Sequence, residues 1–152
     1  MRAITGLLLV LAAACKGGGD DTAASGSPPA IEGRYNVQVN WARGCEGDSS
    51  WVEDWANGAL SVTGSDNDVT FDYYDGMAFS GSVGVDASYR FGGTVAWGGA
   101  TLTVSHTGGL TTQDGQRVLD GEFAIEVDDD EFANNNCTVE SGVIAYEIVG
   151  TN

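Results

Sequence analysis

The chain reads as an all-β protein: an antiparallel up-and-down (meander) barrel of about eight strands, with a short helical segment near 51–57. Three observations predict it. From Ile31 onward the apolar residues recur with period two rather than 3.6, the mark of half-buried strands. The links between the alternating runs are hairpin-sized and rich in turn formers, which leaves no room for the long crossing connection of a Greek key. A series of meandering strands with one apolar face each avoids exposed edges by closing on itself.

The first strand is the clearest. In Arg34 to Trp41, Tyr35, Val37, Val39 and Trp41 share one face and polar groups occupy the other. The alternation returns at Leu60 and Val62, at Val69, Phe71 and Tyr73, and at Met77, Phe79, Gly81 and Val83. It continues through Tyr89, Phe91, Gly93, Val95 and Trp97, then Leu102 and Val104, then Leu119, Gly121, Phe123, Ile125 and Val127, and ends with Val143–Val149. The turns between them are Gly64-Ser65-Asp66-Asn67, Asp75-Gly76, Gly84-Val85-Asp86-Ala87 and Gly98-Gly99-Ala100. The 23 glycines suit tight turns and strong strand curvature. Inward-parity Gly81, Gly93 and Gly121 hint at interior space, whereas Trp41, Trp97, Phe71, Phe91 and Phe123 would fill it.

One segment breaks the pattern. Ser50 to Gly58 opens with a capping box, Ser50 with Glu53, and stops at a glycine, so Trp51 and Trp55 share one face of a short helix. Two readings follow: a lid whose rings face a ligand, or a plug for the end of a small core. The plug is preferred, because eight-stranded interiors are often filled by side chains.

Cysteines test closure. In an up-and-down barrel the end of the first strand meets the start of the last. Cys45 and Cys137 then fall at one rim within bonding range, as a staple rather than a redox pair. His106 continues the parity of Leu102 and Val104 and is read as a rim histidine at a strand end; one histidine makes no histidine-rich metal site. Asp128, Asp130 and Glu131, beside Asn134, Asn135 and Asn136, are the candidate calcium ligands, although the spaced ligand pattern of a calcium loop is missing. Carboxylates such as Asp72, Asp75, Asp120 and Glu122 are not brought into a cleft by any visible pattern. No Gly-x-Ser-x-Gly elbow or phosphate-binding glycine loop is present, so no catalysis and no cofactor are expected.

The beginning of the chain carries a different signal. Arg2, the apolar run Leu7 to Leu11 and the small residues Ala12-Ala13-Ala14 before Cys15 form an export segment, too short to span a bilayer. It resembles the lipobox of bacterial lipoproteins, with Ala12 where Leu is commoner. The resemblance implies cleavage before Cys15, lipidation of that residue, and an anchor in the membrane. It divides the chain into a signal peptide (1–14), a lipidated cysteine with a flexible tether (15–30) and the barrel (31–152). Assigning Cys15 to lipid leaves Cys45 and Cys137 to each other, since a spare thiol is a liability in an oxidising compartment. Lys16, where family members retained in the inner membrane have aspartate, implies the outer membrane of a Gram-negative bacterium. The tether, Lys16 to Ala30, would span roughly 20 Å on average and about 50 Å at full stretch.

Charge narrows the partners. The chain has 22 acidic and 6 basic residues, a net charge of −16, which excludes a phosphate-binding patch and argues against nucleic acid. Gly33-Arg34-Tyr35 resembles the lipocalin Gly-x-Trp signature with Tyr in place of Trp. The arginine that covers that tryptophan from the last lipocalin strand has no match in Val143–Val149. Thr94-Val95-Ala96-Trp97 resembles a short avidin segment. The functional expectation is a monomeric, non-catalytic interaction module of the envelope with an unknown partner; the alternative, implied by the lipocalin resemblance, is a carrier of a small apolar ligand.

Overall fold

The computed structural model describes residues 26–45, 51–65, 67–73, 77–97, 99–128 and 137–150. Its elements are β1 (Gly33–Gly44), α1 (Trp51–Ala56), β2 (Gly58–Ser65), β3 (Asp68–Tyr73), β4 (Met77–Val83), β5 (Ser88–Trp97), β6 (Ala100–Gln113), β7 (Gln116–Asp128) and β8 (Cys137–Glu147). Every strand pairs antiparallel with its neighbour in sequence, and β1 pairs with β8, so the sheet is a closed eight-stranded meander. No helix among the described residues is long and apolar enough to cross a membrane.

The strands are strongly staggered. Partners followed from Thr63 through Thr70, Ser80, Gly92, Ser105, Ala124 and Glu140 return to β1 at Arg43, near the end of that strand opposite Gly33. Such a shift between start and return tilts the strands and sets a barrel width that inward side chains can fill. Local turn chemistry agrees with the topology. Asp114 and Gly115 both take positive φ, 52° and 81°, in the two-residue link that makes β6 and β7 one long hairpin. In the β4–β5 turn, Asp86 accepts from the Ser88 amide and hydroxyl, which holds its carboxyl below the ordinary range.

Two parts of the sequence reading change. The register slips between Val39 and Trp41, where an extra residue bulges from β1. The slip reverses parity, so Trp41 leaves the interior and lies 38% exposed on the outer face. There its indole covers Gly142 so closely that any Cβ at that position would collide with it. The sixth strand is also much longer than Leu102 and Val104 suggest, running on through His106 to Gln113. His106 therefore lies in mid-strand rather than at a rim.

Cys45 and Cys137 are bonded, with Cα atoms 5.2 Å apart and a sequence separation of 92. The bond joins the end of β1 to the start of β8, across the seam that closes the barrel. From loop-closure entropy, replacing both cysteines by serine is expected to cost about 4 to 5 kcal/mol, read as a lower urea midpoint, with a steeper slope as the unfolded chain expands. An unchanged midpoint would show that β1 and β8 hold the seam without the bond.

Candidate functional site

The barrel has two mouths, and the chain closes each differently. At the mouth where β1 begins, Ile31 is 2% exposed and caps the core, while the Tyr35 hydroxyl donates to the Ile31 carbonyl at 2.7 Å. Burial is the main reason that the Tyr35 phenol is pushed up to about 12. Arg117, at the start of β7, organises this end. Its guanidinium donates to the Ala30 carbonyl at 2.9 Å, to the Glu32 carbonyl at 2.7 Å and, through both Nε and Nη2, to the Glu147 carboxylate. The Arg117 hydrogen bond holds Glu147 below the ordinary carboxylate range. Arg117 also sits against Gly33, 3.1 Å from where a Cβ would stand. An arginine thus does reach the Gly33-Arg34-Tyr35 corner, supplied by β7 rather than by the last strand.

The opposite mouth is crossed by α1. Glu53 and Asp54 in its first turn suit the helix dipole, and the Asn57 amide closes it on Glu53 at 3.0 Å. Asn57 then accepts from the Val39 amide at 2.7 Å, which ties the helix to β1 above the last β1–β2 pair, Val37 with Gly58. Trp55 descends into the core and is 5% exposed. Its ring stacks on Tyr73 at 5.9 Å, meets Phe123 edge-on at 5.4 Å, and its indole N–H donates to Met77 Sδ at 3.2 Å. Trp51 stays at the rim, 5.3 Å from Trp97 across the mouth. Among the described residues β5 pairs beyond Gly92 with β6 alone, and Trp97, at its tip, remains 36% exposed. Of the two readings of α1, Trp55 has the position of a plug and Trp51 that of a rim residue.

Between the mouths lies a continuous aromatic core. Phe71 stacks on Phe91 at 4.3 Å, Phe91 on His106 at 4.6 Å, and His106 meets Phe123 edge-on at 4.4 Å. The inward glycines are not empty space. A Cβ at Gly81 would stand 2.7 Å from the Phe71 ring, at Gly93 3.2 Å from Phe79, and at Gly121 2.5 Å from His106 Nε2; Gly108, not among the three expected, lies the same way against Tyr89 at 2.6 Å. These glycines let rings lie flat on the backbone, and Trp41, expected inside, is outside.

His106 is 2% exposed, against the rim position expected of it. Its Nε2 is 3.0 Å from the Tyr89 hydroxyl, and neither its Nδ1 nor the buried Ser141 hydroxyl finds a partner among the described residues. Burial without a counter-charge pushes the imidazole down to about 3, so it is neutral at pH 7. The same burial raises Tyr89 and Tyr73 well above the ordinary phenol range. Among the described residues the uncharged imidazole packs between rings, with the Tyr89 hydroxyl as its hydrogen-bond partner.

The remaining candidates among the described residues are not assembled into a site. Asp72 is exposed on β3, Asp120 and Glu122 on β7, with the intervening strands between them. Asp128 is exposed at the end of β7, and no group of three metal-ligating side chains occurs among the described residues. Asp130, Glu131, Asn134 to Asn136, Asp75, Ser50 and Cys15 lie outside the described residues. Arg117 and Glu147 were missed in the sequence; the scarcity of arginine was the available signal. The architecture is shared by lipocalins and avidins. No protein-family model, curated protein or solved structure matches the chain.

Two outcomes follow from this packing. Trp55→Ala is expected to lose about 3 to 5 kcal/mol of unfolding free energy, whereas Trp51→Ala loses about 1 kcal/mol. Equal losses in urea melts would mean that the rim pair holds the core as firmly as the plug does. The second outcome concerns pH. Because His106 titrates lower when folded than the ordinary 6.5, the unfolded chain binds the extra proton. Stability is then fully present above pH 6.5 and falls as pH drops towards 3, by about 2 kcal/mol between pH 7.5 and 5.0. Urea midpoints at those two pH values should show the fall in the native chain and a flatter response in His106→Leu.

Proposed function

We propose that this chain is a lipid-anchored, non-catalytic interaction module of a Gram-negative envelope, held by Cys15 and presenting the α1 end of its barrel to a protein partner. The supporting observation is polarity of the fold. Ala30, where the N-terminal segment joins the barrel, is bound at one mouth, and α1, the disulfide and the Trp51–Trp97 pair occupy the other. An anchor attached through the segment before Ala30 leaves the α1 end facing away from the bilayer. The disulfide agrees with an oxidising compartment. A net charge of −16 keeps the barrel off anionic lipid headgroups.

The carrier reading shares the barrel architecture, but a ligand would have to displace Trp55 from its contacts with Tyr73, Phe79 and Phe123. That cost favours a module that binds with its surface.

The test has two arms in cells. Labelled palmitate is expected on the native chain and not on Cys15→Ser, which should leave the membrane fraction. A photo-crosslinking residue at position 97 is expected to capture a protein that the same residue at position 34 does not. Palmitate on Cys15→Ser, or equal capture from both positions, would defeat the proposal.

A further inference from the structure

The α1 end of the barrel combines a half-exposed aromatic pair with negative charge that no cation answers. Trp97 rests on Trp51, and α1 adds the exposed carboxylates Glu53 and Asp54. Exposed Glu126 and Asp128 stand at the same end on the outer face of β7, opposite Thr103 and Thr101 of β6, whereas Trp97 follows the inward parity of β5 and pairs with Ala100. Only four basic residues follow Lys16 in the whole sequence: Arg34, Arg43, Arg90 and Arg117. Arg34 lies at the beginning of β1, Arg90 beside Ser82 in the lower half of β5, and Arg117 at the Ala30 mouth.

Among the described residues Arg43 alone reaches the α1 end, and it is engaged. Its guanidinium lies 5.0 Å over the Trp41 ring while Nε and Nη2 donate to Glu140 at 2.9 and 2.6 Å. That trio shows how an indole and a carboxylate together hold a cation on this surface. At the α1 end the Trp51–Trp97 pair and the exposed Glu53 and Asp54 supply both kinds of group without a bound cation, and Glu126 and Asp128 add negative charge on the outer face beside that rim. An anionic lipid, a nucleic acid or a second copy of a chain charged −16 meets repulsion here.

We infer that the α1 end docks a lysine- or arginine-bearing segment of a protein partner. The partner's cationic side chains lie on the Trp51–Trp97 pair and against the carboxylates of α1 and β7. This inference rests on the interaction-module reading and adds the chemistry of the partner.

The probe is deca-lysine, titrated calorimetrically into the full mature chain in detergent micelles, with deca-glutamate as control. Deca-lysine is expected to bind and deca-glutamate not to. The double variant Trp51→Leu/Trp97→Leu keeps every charge and is expected to bind about tenfold more weakly. Glu126→Gln/Asp128→Asn should weaken binding similarly while keeping both indoles. Circular dichroism checks that each variant is folded. If the tryptophan variant is not, Trp97→Lys serves instead, expected to lose binding because it supplies its own cation. Absent binding of deca-lysine, or equal affinity in native and tryptophan-substituted chains, overturns the inference. Crosslinking from position 97 in cells without deca-lysine binding leaves the module reading standing and removes only this one.

Discussion

A meander of strands has two free edges, each a row of unpaired amides and carbonyls that must find partners or water. In this chain they find each other, as β1 pairs with β8 from Tyr35 to Gly44. The aromatic core is enclosed by that seam. The disulfide clips one end of it, and Ile148, just past β8, donates to Arg34 at the other. The two mouths are then the remaining openings, which is why the non-strand residues that pack into the core, Ile31 and the α1 side chains, sit there.

Strand identity was legible in the sequence wherever period two ran unbroken, because every inward position then met the core. Two departures hid the rest. An extra residue between Val39 and Trp41 reverses which way later side chains point, and nothing in an isolated strand marks it. Gly108 and Gly109 interrupt the apolar rhythm of β6, so the strand reads as ending early and His106 as lying at its end. The inward glycines carry the same lesson. Their missing Cβ reads as room, but the room belongs to rings on neighbouring strands, and only the pairing register shows whose.

The candidate site was legible in part. Trp51 and Trp55 were found together from their four-residue spacing and the glycine that stops the helix, yet their different depths depend on what lies beneath each ring. The cysteine pair followed from strand direction, since closure fixes which ends meet, together with the assignment of Cys15 to lipid. Arg117 escaped because two of its partners, at Ala30 and Glu32, are backbone carbonyls distant in sequence, which leave no residue-type signal, and Glu147 escaped with it because its carboxylate binds Arg117 across thirty residues.

The grip of Arg117 on Ala30 and Glu32 has a mechanical consequence. Tension applied along the segment before Ala30 does not fall on the first residues of β1 alone. It passes through the guanidinium into β7 and, by way of Glu147, into β8. The load is shared by three adjacent strands that must slide together, so the barrel resists being unzipped by a pull on the segment before Ala30.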